Sequence, residues 1–271
     1  MVITDRNSAA AFIGTIREDG SWDSRQIVRF GEGPDELRSI EYLARLGDGF
    51  IVGDARHQLV FDLTGQMRDK TEQSYPAGDL GISSDGFVVH PGSGGYTVGE
   101  NAETPSLIET YTRVAGAWVR TSELLQVDTL KRPPDHGQES VAFMGFVTLA
   151  NGRIWFSPRF ENSLFTSLVQ DDAGTFFHFD DAQFERFEYP SRDDWVVINY
   201  SLAALPDGSV LVGRGPRISG LFTIDRFDAD GRLLQEIKVD LPPTYMSADS
   251  SRLLVADGRL QNRVVLFDAP W

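Results

Sequence analysis

The sequence predicts an all-β fold, on three observations. Its apolar residues fall in short alternating runs, the runs end at Gly, Asp, Pro or Ser clusters, and no window keeps a helical period over three turns. FIVGD (50–54), QLVFD (58–62), RIWFS (153–157), SVLVG (209–213), LFTIDRF (221–227), RLLVAD (252–257) and RVVLFD (263–268) each read as a strand rich in β-branched and aromatic residues. The best helical candidates, 122–130 and 181–189, are short, and the second also alternates as a strand does.

These strands recur as a unit. In one register the chain reads apolar run, Asp-Gly turn, apolar run, polar loop, apolar run, Asp-x-x-Gly turn, apolar run. IEYLARLGDG-FIVGDARHQ-LVFDLTG-QMRDK is one copy, and NYSLAALPDG-SVLVGRGPRISG-LFTIDRFDADG-RLLQEIKVD is another. A third copy begins at GFVTLANG, and a looser one at DLGISSDG carries an insertion. Gly49, Gly86, Gly152 and Gly208 are expected in the first hairpin of each copy, and Gly65, Gly116, Gly174 and Gly231 in the second, where positive φ is needed. Four strands per repeat, at a period of about 50 residues, predict a six-bladed β-propeller over residues 1–271 as a single domain.

The end repeats are incomplete. The first starts at its second strand (VITD) and the sixth stops after its third (VVLFD), so 22 strands are legible where six full blades take 24. Five blades with unusual ends is the competing count. A natural chain longer at its N-terminus would supply the missing strands and would also be the place for an export signal. Without them, open strand edges favour self-association.

Composition narrows the function. The 271 residues carry 25 Lys+Arg against 40 Asp+Glu, a formal charge of −15, which disfavours general nucleic-acid or anionic-membrane binding. Cysteine is absent, which excludes disulfides, thiolate nucleophiles and Cys-ligated zinc. No apolar run approaches the ~18 residues of a membrane span, and the first residues do not read as a signal peptide.

The stretch RFGEGPDELRSIEYLARLGDGFIVGDARHQLVFDLTGQ (29–66) resembles the NHL-like six-bladed β-propellers of bacteria. Gly31, Gly33, Pro34, Glu36, Asp48, Gly49, Asp54, Phe61, Asp62 and Gly65 match their repeat, with Leu37 at the usual Phe. That family includes ligand-binding and protein-binding modules, amidating lyases and calcium-dependent lactonases. The resemblance therefore implies a fold and leaves function to the site.

In such a blade the loops between second and third strands gather at one face, around the central channel. Those loops here hold Arg56 and His57, His90, Arg159, Arg214 and Arg217, and Arg259. Clustered guanidinium groups at a channel mouth would bind a small anionic molecule or an acidic protein segment. Taken singly, Asp54–Arg56 and Asp257–Arg259 also read as local ion pairs, and the aspartates that end second strands read as acceptors of loop N–H groups. Lactonase-like relatives imply calcium held by Glu, Asn and Asp at inner-strand starts, for which Glu41 and Asn199 are weak candidates beside Asp79 and Asp249. An amidating-lyase reading would want zinc on His57, His90 and His136. No G-x-S-x-G elbow occurs, and GSGG (92–95) is not followed by a helix. The sequence thus supports a binding module without a cofactor, with metal-assisted hydrolysis or lyase chemistry at the same mouth as the alternative.

Overall fold

The computed structural model describes residues 1–5, 8–17, 19, 21–46, 48–54, 56–72, 81–82, 87–91, 106–114, 117–126, 145–159, 163–167, 184–188, 197–216, 221–257, 263–269 and 271. Every regular element among them is a strand. The chain divides into two compact units, residues 1–90 with 110–121, and residues 91–109 with 122–271.

In the first unit, β1 (Val2–Asp5), β2 (Ala10–Ile16) and β3 (Trp22–Phe30) form an antiparallel meander, and the two-residue β4 (Glu36–Leu37) adds to β3 in parallel. A second sheet runs β5 (Tyr42–Leu46), β6 (Gly49–Gly53), β7 (His57–Asp62) and β8 (Met67–Glu72). The third, which spans both units, comprises β9 (Gly81–Ile82), β10 (Phe87–Pro91), β11 (Ser106–Val114) and β12 (Ala117–Gln126).

The second unit continues the pattern. A fourth sheet is β13 (Gly145–Ala150), β14 (Arg153–Pro158), β15 (Ser163–Ser167) and β16 (Phe184–Glu188). A fifth is β17 (Val197–Ala204), β18 (Val210–Pro216), β19 (Phe222–Phe227) and β20 (Leu233–Val239). A sixth has three strands, β21 (Tyr245–Ala248), β22 (Arg252–Asp257) and β23 (Arg263–Asp268). Each sheet orders its strands consecutively along the chain, as in a β-propeller, and in the first the meander is β1 to β3 with β4 added in parallel. The segments 122–130 and 181–189, weighed as helices, contribute β12 and β16 instead. Among the described residues β1 pairs only with β2 and β23 only with β22.

Inner strands such as β6 and β18 are buried on both faces. Phe50 and Val52 pack with Ala11 and Val28 of the first sheet, whereas Ile51 between them joins Tyr111 and Trp118. Val210 and Val212 share a cluster with Trp155 and Leu164, while Leu211 turns to Leu253 and Val255. Trp155, Phe61, Phe156 and Ile51 are almost fully buried, and each such side chain contributes roughly 1.5–3 kcal/mol.

The turns follow the repeat where they are described. Asn151 and Gly152 both have positive φ, 49° and 70°, in the two-residue β13–β14 hairpin, and Gly208 has 84° in the β17–β18 turn. Gly65 and Gly231 occupy equivalent second hairpins with φ of 78° and 73°. In both turns an aspartate accepts the N–H of the glycine on its carbonyl and the turn's other amides on its carboxylate. Asp62 Oδ1 accepts from Thr64 N and Gln66 N, and Asp228 Oδ1 from Asp230 N and Arg232 N. Gly49 departs from expectation. It opens β6, paired with Leu46 and Asp62, because the connection is residues 47 and 48 and not the Asp48-Gly49 pair. Gly86, Gly116 and Gly174 lie outside the described residues.

The GEGPDEL segment shows why that motif carries glycine and glutamate. The Glu36 carboxylate folds back to accept the Gly33 N–H at 2.7 Å, and it fills the space a Cβ on Gly31 would need. Lys70 Nζ of β8 donates to the carbonyls of Gly33 and Glu36, which ties this connection to the second sheet.

Two glycines separate conformational from steric cost. A Cβ on Gly231 would run into the Phe187 ring, whereas one on Gly152 would meet nothing within 4 Å. Gly152→Ala should therefore cost about 1–2 kcal/mol through its positive φ alone, and Gly231→Ala about 1–3 kcal/mol more through overpacking. Urea denaturation checks this order. Equal losses would place the two glycines in the same environment.

Candidate functional site

In three sheets the interior turns polar at or near the end of the second strand. Asp54 follows β6 and is 3% exposed, Arg214 lies in β18 at 3%, and Asp257 ends β22 at 2%. The register makes them equivalent, since each lies two residues beyond a buried valine, Val52, Val212 or Val255. A buried charge must find partners, and at Asp54 those partners fix the loop that follows.

Asp54 finds them in backbone. Its Oδ1 accepts the N–H groups of Arg56 and His57, both at 2.7 Å, and its Oδ2 accepts that of Arg38 at 3.1 Å. One carboxylate thus holds its own loop and the segment that leads into its sheet. Asp54 meets Arg56 through its backbone N–H, a hydrogen bond and not the ion pair read from the sequence, and Arg56 is exposed. His57 is half-buried beside it, with Nδ1 3.8 Å from Asp54 Oδ1.

Arg214 finds a carboxylate instead. Arg214 pairs with Thr223 and Val212 with Asp225 across β18 and β19, so Arg214 and Asp225 are diagonal neighbours on one face. Nη1 donates to Asp225 Oδ2 at 2.6 Å, with the side chains 4% and 1% exposed. Burial pushes the Asp225 carboxyl above its ordinary value, and the attraction of Arg214 offsets only part of that. This partner lies eleven residues downstream, outside any local motif. Directly opposite Arg214 on β17 is Asn199, fully buried. Its backbone N–H donates to the Arg159 carbonyl at 2.9 Å, and its Nδ2 to the Pro158 carbonyl at 2.5 Å. The end of β14 is thereby fastened to the first strand of the next sheet, with the half-buried Arg159 at the junction.

Of the remaining candidates, His90 lies in β10 with its side chain outside the described residues, as are Arg217 and Arg259 entirely. Phe160, Trp195 and His136 lie outside them as well. Glu41, half-buried, accepts from Ser39 Oγ at 3.3 Å, and its N–H donates to the Gly53 carbonyl. At Asn199 the Nδ2 donates to the Pro158 carbonyl and the residue opposite is Arg214, a permanent cation, whereas calcium takes about 6–8 oxygen ligands. Among the described residues no three His, Asp or Glu side chains are grouped to hold a metal.

No known protein family matches the chain, and no curated protein matches it. Solved structures that resemble it include regucalcin of Agrobacterium tumefaciens, a calcium-binding protein, at 17% identity over 94% of this chain and 80% of that one, with a TM-score of 0.47. Hsv2 of Kluyveromyces lactis is similar at 14% identity, 98% and 73% coverage and a TM-score of 0.46. BamB of Moraxella catarrhalis is similar at 12%, 97% and 82%, with 0.39. These are distant likenesses, and no ligand, metal or activity passes from them to this chain.

Removing either partner of the Arg214–Asp225 pair strands the other charge in the interior. Arg214→Met and Asp225→Leu should each cost about 3–5 kcal/mol, and the double substitution should recover most of that loss. A double-mutant cycle by chemical denaturation reads the coupling. Additive losses would mean that the two charges are satisfied independently.

Proposed function

We propose that the chain is a six-bladed β-propeller of NHL-like type that serves as a binding module for an anionic ligand, a small molecule or an acidic protein segment. Six successive sheets support the blade count. The observation that carries the binding reading is the anchoring of the loops after second strands. Asp54 clamps one from below and leaves Arg56 exposed beside His57. In the other unit, the Asn199 contacts fix the backbone that presents Arg159. Loops held on a rigid base and tipped with guanidinium groups meet an anion with little ordering cost. In this reading the sequence adds His90, Arg217 and Arg259 as further candidates after second strands, and Arg214 supports its own sheet from the interior.

Titration calorimetry with pyrophosphate, citrate and a polyglutamate peptide tests the proposal and separates small anions from acidic protein. At least one probe should bind, more weakly as salt rises. Arg56→Glu or Arg159→Glu should weaken it about tenfold or more, the scale of one charged hydrogen bond. Failure of all three probes, or indifference to both charge reversals, would refute the anion-binding assignment.

A further inference from the structure

The fourth and fifth sheets meet across an interior that is apolar in one part and polar in the other. Trp155 and Leu164 from the fourth sheet pack with Val210, Val212 and Phe227 from the fifth. Thr166 lies directly opposite Trp155 in the β14–β15 pairing, so both side chains face the fifth sheet. Asp225 lies directly opposite Val212, so it faces back toward them. Trp155 and Thr166 are 0% exposed and Asp225 is 1% exposed.

Among the described residues each of these carries a buried polar atom with no hydrogen-bond partner, Trp155 Nε1, Thr166 Oγ1 and Asp225 Oδ1, while Asp225 is also held by the Thr223 side chain. The three are chemically complementary. An indole N–H only donates, an ionised carboxylate oxygen only accepts, and a hydroxyl does both. Three unmet polar atoms on facing surfaces of one interior are the partners a single hydrogen-bonding molecule needs.

We propose that Trp155, Thr166 and Asp225 hold one internal water molecule between the fourth and fifth sheets. The water accepts from Trp155 Nε1 and donates to Asp225 Oδ1, and the Thr166 hydroxyl is its third partner, the usual number for a buried water. Charge excludes an ion. Arg214 already neutralises Asp225 through its other oxygen at 2.6 Å, so a cation would face the guanidinium and an anion the carboxylate. The water completes the coordination of Asp225 and joins the Arg214–Asp225 pair to the fourth sheet.

A high-resolution crystal structure and one pair of substitutions test this. Density should appear within hydrogen-bond distance of all three atoms. Thr166→Val keeps the shape, removes the hydroxyl, and should lower the melting temperature by about 2–4 °C, the shift for one lost hydrogen bond in a chain of this size. Thr166→Ser should stay near wild type. A dry interior in the crystal would overturn the assignment. So would a Thr166→Val protein as stable as the parent or more so, because removing a hydroxyl that bonds to nothing is no loss. Should Thr166→Val fail to fold, the crystal density decides by itself.

Discussion

A charged side chain buried at the end of a second strand is the constraint around which the loops are arranged. Asp54 and Arg214 occupy the same place in their sheets, carry opposite charge, and meet the same requirement by different means. Asp54 gathers three backbone N–H groups, one of them from the segment that enters its sheet. Arg214 draws in Asp225 from the neighbouring strand, and Asn199 opposite it reaches across to Pro158. The bonds that satisfy Asp54 also fix a connection, whereas the Arg214–Asp225 bond joins two strands and the neighbouring Asn199 ties the end of β14. Apolar packing alone would hold the sheets together without specifying where their loops sit.

The carboxylates of the hairpin turns work in the opposite electrostatic sense to Asp225. Asp62 and Asp207 are held below the ordinary aspartate value first by hydrogen bonds from the Thr64 and Ser209 side chains, and Asp249 first by the Ser251 amide. Their contribution is present above the unfolded value near 3.8 and is lost as pH falls through the lower folded values. Asp225 is raised by burial, so its contribution is greatest below the unfolded value and is lost as pH rises through the folded one. Acid therefore loosens the turns while it relieves the interior.

The strand pattern and the second-hairpin turns were legible in the sequence because both are local. Alternation over five or six residues marks a strand, and an aspartate three residues before a glycine closes a turn with its own carboxylate, as at Gly65 and Gly231. Asp54 was legible as an acceptor for its own loop by the same logic. Gly49 misled because two consecutive Gly-Asp and Asp-Gly pairs, Gly47-Asp48-Gly49, fit the hairpin in two registers, and only the pairing of Leu46 with Gly49 chooses between them. The Arg214–Asp225 pair was not legible at all. It depends on which residues of β18 and β19 stand diagonally opposite, and that register is set by packing on both faces. Asn199 read as a weak calcium candidate, and the sequence did not show that its Nδ2 donates to a carbonyl of the preceding sheet.

If buried polar contacts fix the loops, the amides they engage share the stability of the strands. Residue-resolved hydrogen exchange tests this directly on the N–H groups of Arg56 and His57, held by Asp54, and of Asn199, held by the Arg159 carbonyl. The account predicts that all three exchange only with global opening, at the free energy of Val52 and Val212 in the strand centres. Exchange of these amides through low-energy local opening, with the strands still protected, would contradict it.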